Sequence, residues 1–195
     1  MKEERNLTNY FERYKFDQTI VGKSRTWFEQ QVTLLRRKKI DPALHLRQSG
    51  ITRSRITPGS LYMYFYDPKL KETLPHYDRF PLVFPFALTE GGFLGLNMHY
   101  LTYRLRVQLF EQLLKFKNTK GLTENTKLKY SYDMLRGLSR FPLAQHCVKH
   151  YLKEHIVSEI KLIPPTDWTT AMMLPVESFV KQSSTQVWRN TGGVK

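Results

Sequence analysis

Cysteine is almost absent from this chain: Cys147 is the one thiol. A single thiol excludes an intramolecular disulfide and suits a reducing compartment, or a particle assembled in one. Long apolar runs are missing as well. No stretch approaches the roughly 20 consecutive apolar residues of a bilayer span, so no membrane partner is expected. The opening residues, MKEERNLTNYFERYKF, carry charge without an apolar h-region, so no secretory signal is expected either. Negative charge is scarce: 17 Asp and Glu stand against 31 Lys and Arg, which leaves a net charge of +14. Catalytic signatures are missing too. There is no GxxxxGK[ST] loop, no GxSxG elbow and no dinucleotide fingerprint around Gly91, Gly92 and Gly95. No internal repeat or low-complexity tract is visible.

What is present is apolar enough to fold. Hydrophobic residues make up 41% of 195 and aromatics 13%, which excludes a wholly disordered chain. The length suits one domain with an arm. The positive charge is uneven. Residues 1–60 hold 13 basic and 6 acidic side chains, net +7; residues 61–110 hold 5 and 4, net +1; residues 111–195 hold 13 and 7, net +6. A nearly neutral, aromatic block therefore lies between two basic flanks. The densest run is Arg36, Arg37, Lys38 and Lys39, with Lys23 and Arg25 before it and Arg47, Arg53 and Arg55 after it. Such clusters suit a polyanion, because each neutralised phosphate releases condensed counterions. Helix C-termini also favour basic side chains, so a solvated helix end explains part of that run.

Residues 1–23 read as an arm with Tyr10, Phe11, Tyr14 and Phe16 as anchors. Thr26 and Glu29 form a capping box for a helix to about Lys39. Asp41-Pro42 starts a second, short helix that Gly50 ends, and Thr57-Pro58-Gly59 is a turn. The aromatic run Leu61 to Tyr66 favours a strand. Leu82-Val83-Phe84 gives a second strand, broken by Pro85, and Phe93 to Leu96 a third. The prolines point to edge positions or irregular pairing. Leu101, Leu105, Leu109, Leu113 and Phe116 then predict a helix over 102–117. Thr123 caps another, ended by Gly137, although Leu128, Tyr130, Tyr132 and Met134 also alternate like a strand. Pro142 opens a third helix carrying Leu143, Cys147, Tyr151 and Val157. Pro164 to Asp167 cap a short helix through Met173, Pro175 begins a last segment, and 191–195 form a flexible tail. The expected fold class is α+β, mainly helical, with a small central antiparallel sheet of about three short strands. The expected organisation is an arm over 1–23, a single basic domain over 24–190, and the tail.

Three groups of residues invite chemistry. His146 and His150 at i, i+4 share a face of the expected helix and suit zinc, but Cys147 occupies the position where a metalloprotease has Glu. No further cluster completes a ligand set, so no metal and no cofactor is expected. Asp67, Glu72, Asp78 and Glu90 lie in the neutral block, where two or three converging carboxylates could hold a nuclease's magnesium; their turn contexts favour a structural role. Tyr62, Tyr64 and Tyr66 on one strand could stack exposed bases, or be buried between two layers.

The central block is distinctive. YMYFYDPKLKETLPHYDRFPLVFPFAL at 62–88 and GGFLGLNMHYL at 91–101 resemble virion proteins of T4-type tailed bacteriophages usually called DNA end protectors. The resemblance continues more loosely through KLKYSYDML at 127–135, CVKHYL at 147–152 and PPTDWTTAMMLPVESFVK at 164–181. It implies a head-completion protein, assembled into the virion in the host cytoplasm. Such a protein binds packaged DNA termini at the portal vertex and shields them sterically from exonucleases. No catalytic residue comes with it, so no enzyme is expected. The expected DNA-contacting residues are Lys23, Arg25, Arg36, Arg37, Lys38, Lys39, Arg47, Arg53, Arg55, Lys149 and Lys153, gripping backbone without reading sequence. Other virion proteins near the portal, neck or tail are expected neighbours. The rival expectation is a structural neck, tail or baseplate subunit whose basic surface meets acidic protein.

Overall fold

A computed structural model describes residues 51–102, 105–106, 109–110, 112–113, 120–168, 171 and 176–190. Its strands are β1 (Ile51–Arg53), β2 (Leu61–Met63), β3 (Tyr77–Asp78), β4 (Leu82–Thr89), β5 (Gly92–Asn97), β6 (Val148–Leu152), β7 (Ile160–Ile163) and β8 (Phe179–Val180). Its helices are α1 (Glu124–Leu138), α2 (Pro142–Gln145) and α3 (Ser184–Asn190). Six strands form one sheet in the order β1-β7-β2-β4-β5-β6, and β3 pairs with β8 apart from it. Every pairing is antiparallel.

The sheet is covered on both faces, which explains why LYMYFY is apolar without a break. Leu61 and Met63 join the larger core with Leu82, Phe84, Leu96, Leu109, Phe110, Leu135, Leu138 and Trp168. Tyr62 and Tyr64 point the other way, into a smaller core with Tyr66, Val83, Phe93 and Tyr151. Side chains alternate across a strand, so one short run feeds two cores. The smaller core is knit edge to face: Tyr64 lies 6.2 Å from Phe93 and 5.6 Å from Tyr151, both near perpendicular. Each such pair adds roughly 0.5–1.5 kcal/mol beyond its area.

Helix α1 closes the larger core. Thr123 caps it as its sequence predicts, with Oγ1 accepting from the Thr126 N–H at 3.2 Å. Met134, Leu135 and Leu138 form its buried stripe, and it runs one residue past Gly137. Leu105, Arg106, Leu109, Phe110, Gln112 and Leu113 are also helical, within the expected 102–117 helix.

The expectation of a mainly helical chain with about three strands is overturned, because the described residues build a six-stranded sheet and a two-stranded one. Two segments account for most of the change. The expected helix from Pro142 stops at Gln145, and Val148–Leu152 is strand β6 against β5. The spacing of four between Cys147 and Tyr151 fits two strand periods as well as one helical turn. Long-range pairing with Gly92 to Leu96 decides between them. Ile160–Ile163, to which no strand was assigned, is β7, inserted between β1 and β2. The strand from Leu82 is not broken at Pro85. It continues to Thr89 in the sheet interior, with a register shift between Pro85 and Ala87. A bulge there accommodates the missing N–H. The arm over 1–23, the helix ending near Lys39, the short helix after Asp41 and the tail over 191–195 lie outside the described residues.

Candidate nucleic-acid interface

Of the expected DNA-contacting residues, Lys23, Arg25, Arg36, Arg37, Lys38, Lys39 and Arg47 lie outside the described residues. Arg53 ends strand β1 and Arg55 follows it; both are exposed. Lys153 is exposed in the 3-10 turn after β6. Lys149 is different. It sits on β6, partly buried, with Nζ 4.1 Å from the centre of the Tyr100 ring. Burial pushes its ammonium pKa down. The structure thus keeps Arg53, Arg55 and Lys153 at the surface and partly covers Lys149.

A basic stripe on α1 was not singled out residue by residue. Lys129, Arg136 and, just past the C-cap, Arg140 are exposed, with Tyr130 46% exposed beside Lys129. Their spacing of seven and four residues is a helical one, so the signal was legible once α1 was placed. Asp133 is the acidic residue on that stripe. Among the described residues Lys129, Arg136 and Arg140 form no ion pair. The Lys and Arg ion pairs among the described residues engage Lys71 with Asp67, Lys127 with Glu124, Lys161 with Glu159 and Arg106 with Glu177. The surface therefore retains uncompensated cations on α1, on β1 and after β6.

Beneath this surface a buried polar knot fixes the turn at Met98–Tyr100. Asp78 Oδ2 lies 2.6 Å from His99 Nδ1 and accepts from Asn97 Nδ2 at 3.1 Å. Asp78 Oδ1 accepts from the Phe80 and Ser178 N–H groups, each at 3.1 Å. Asn97 Nδ2 also donates to the Tyr151 hydroxyl at 3.1 Å. Burial pushes the Asp78 carboxyl up, but His99, Asn97 and the Phe80 amide outweigh it and hold the pKa below its ordinary value. The knot ties β3, β5 and the segment before β8 to one carboxylate, and β6 to β5 through Asn97 and Tyr151. It holds Tyr100 under Lys149. Arg106 is fully buried, donating to the Leu101 carbonyl at 3.2 Å, and so serves the fold rather than the surface.

The other candidate chemistries come apart. His146 caps the end of α2 and His150 lies on β6, where Nε2 is 2.9 Å from Thr89 Oγ1, so they share no helix face. Among the described residues no group of three or more His, Cys, Asp or Glu side chains could hold a metal. Asp67 pairs with Lys71 at the surface while Asp78 is buried in its knot, so these two carboxylates do not converge. Tyr62, Tyr64 and Tyr66 are 2%, 1% and 8% exposed, which leaves no ring face for a base. A cavity of about 290 Å³ between Met63, Phe80 and Ser158 is lined by Glu159 and Lys161, which neutralise each other at 2.8 Å. No helix among the described residues is long and apolar enough to cross a membrane.

A family model described as phage T4 terminal DNA protecting protein matches residues 15–191. No curated protein and no solved structure matches the chain.

Proposed function

We propose, from the premise that this chain belongs to the phage T4 terminal DNA protecting proteins, that it is a non-enzymatic virion protein. It binds packaged DNA termini at the head portal vertex and denies exonucleases access by occupying the end. The observation that carries this reading, beside the family, is the set of exposed cations without carboxylate partners: Arg53, Arg55, Lys129, Arg136, Arg140 and Lys153. Fixed positive charge that is not spent on internal ion pairs remains available to backbone phosphates. A basic body over 24–190 would grip duplex from two flanks, with Lys23, Arg25, Arg36 to Lys39 and Arg47 supplying the N-terminal one. The arm over 1–23 would dock on neighbouring virion proteins during assembly in the host cytoplasm.

The test is exonuclease digestion of a linear duplex with and without the full chain, beside a gel shift on linear and closed circular DNA. Protection of linear DNA and weaker binding to circles are expected. Equal binding to both forms refutes end recognition. Replacing Lys129, Arg136 and Arg140 together by Gln is expected to lower the slope of log affinity against log salt by up to about 2.7, at roughly 0.9 per lost phosphate contact. An unchanged slope removes α1 from the interface.

A further inference from the structure

Lys149 and His76 meet the Tyr100 ring and His146 meets its backbone, and none of the three meets a carboxylate among the described residues. Lys149 stands over the ring face at 4.1 Å. The His76 ring centroid lies 5.7 Å from that of Tyr100. His146 is hydrogen-bonded to the Tyr100 backbone. Phe179 closes one side, perpendicular to Tyr100 at 5.0 Å and to His76 at 6.2 Å. Lys149 has no ion pair or hydrogen bond among the described residues, and the buried His76 Nδ1 has no hydrogen-bond partner there. A partly buried ammonium normally recovers its lost hydration from an anion. Here it has an aromatic face, which recovers only part.

The histidines record the same imbalance. Burial lowers the His76 pKa and takes that of His146 down to about 4, and in both the Lys149 charge pushes further in that direction. His76 and His146 are thus held neutral beside a cation, ready to gain a proton when an anion arrives. The cluster around Tyr100 holds two imidazoles, one ammonium and the Phe179 ring. That donor set suits a phosphate.

We infer that His76, His146 and Lys149 form a receptor for a terminal phosphate of the DNA strand, an inference that rests on the end-binding reading above. A backbone phosphodiester is flanked by two sugars and is met by exposed side chains such as those on α1. A terminal phosphate hangs from one tether and carries more negative charge, so it can approach a Lys149 that is partly covered. The receptor gives end preference a chemical basis: circles have no such group.

The experiment measures binding of the full chain to blunt duplexes with 5′-phosphate or 5′-hydroxyl ends, and to a closed circle, by fluorescence anisotropy. Phosphorylated ends are expected to bind about tenfold tighter than hydroxyl ends, in line with one or two charge-assisted hydrogen bonds. Lys149→Met, which keeps the stem on Tyr100, is expected to abolish that ratio. Lys149→Arg is expected to retain most of it. Equal affinity for both ends, with circles still weaker, overturns the receptor and spares end binding. Equal affinity for ends and circles overturns end binding, and the cluster is then judged with inorganic phosphate alone. Phosphate titrated into the wild-type chain is expected to shift the His76 and His146 ring resonances; unmoved resonances overturn the anion site whatever the variants do.

Discussion

Replacing Asp78 by Ala should be among the costliest single changes in the described body. Four donors converge on that carboxylate: the His99 ring, the Asn97 amide, and the Phe80 and Ser178 N–H groups. The residue is 4% exposed and His99 is 0%, so water cannot stand in without opening the fold. Leaving a buried donor without its acceptor costs about 1–3 kcal/mol, so losing the acceptor of four should cost about 3–5 kcal/mol once the knot relaxes. At about 2–4 °C per kcal/mol for a chain of this size, the melting temperature should fall by roughly 6–20 °C. Asp78→Asn keeps the volume and one acceptor, so its cost should be smaller, about 1–3 kcal/mol. The pH dependence carries a sign. The folded carboxyl has a pKa below its ordinary value of 3.8. Its contribution is therefore complete above that unfolded value and is lost as pH falls through the lower, folded one. Urea unfolding of wild type and Asp78→Ala by circular dichroism, from pH 7 to pH 2, should show a gap that is constant near neutrality and closes below about pH 4. A gap under about 1 kcal/mol at pH 7, or one that persists unchanged at pH 2, would refute the account of the knot.

Two neighbouring glycines should behave differently for separate reasons. A Cβ on Gly92 would sit 2.1 Å from the Tyr151 carbonyl oxygen, so Gly92→Ala must push β6 away from β5 and should cost about 3 kcal/mol or more. Gly91 has φ +70 and open space, so Gly91→Ala should cost only about 1–2 kcal/mol of backbone strain; thermal melts that rank them the other way would contradict this geometry. The Cys147 thiol is fully buried and burial pushes its pKa up to about 12, so alkylation at pH 8 should be slow and should accelerate sharply in urea. Rapid labelling of the folded chain would show that β6 opens readily.

Much of this was legible in the sequence, and the losses have one physical origin. Local signals read correctly: the Thr123 cap and the strands at Leu61, Leu82 and Phe93. What failed depended on distant partners. Val148–Leu152 and Ile160–Ile163 are short, and nothing within either segment says that β5, or β1 and β2, will pair with it. The same limit applied to the site. Lys149 could be named from charge, but its place over Tyr100 depends on strands about fifty residues apart in sequence being paired. The α1 stripe was missed because a helix carrying Leu, Tyr and Met at mixed spacing invited attention to its apolar residues. The knot was missed because Asp78 before an arginine reads like any surface turn.

Strand β7 enters the sheet between β1 and β2, with Leu162 opposite both Ile51 and Tyr62. This order has a consequence for synthesis. When the ribosome has completed β2 at Met63, the strand that joins it to β1 is 100 residues away, since β7 ends at Ile163. At roughly 5–20 residues per second, the nascent chain carries two mismatched edges for about 5–20 s. Contacts so far apart in sequence also slow folding after release. The late-arriving strand, rather than the aromatic block made first, then sets the pace at which folded protein becomes available.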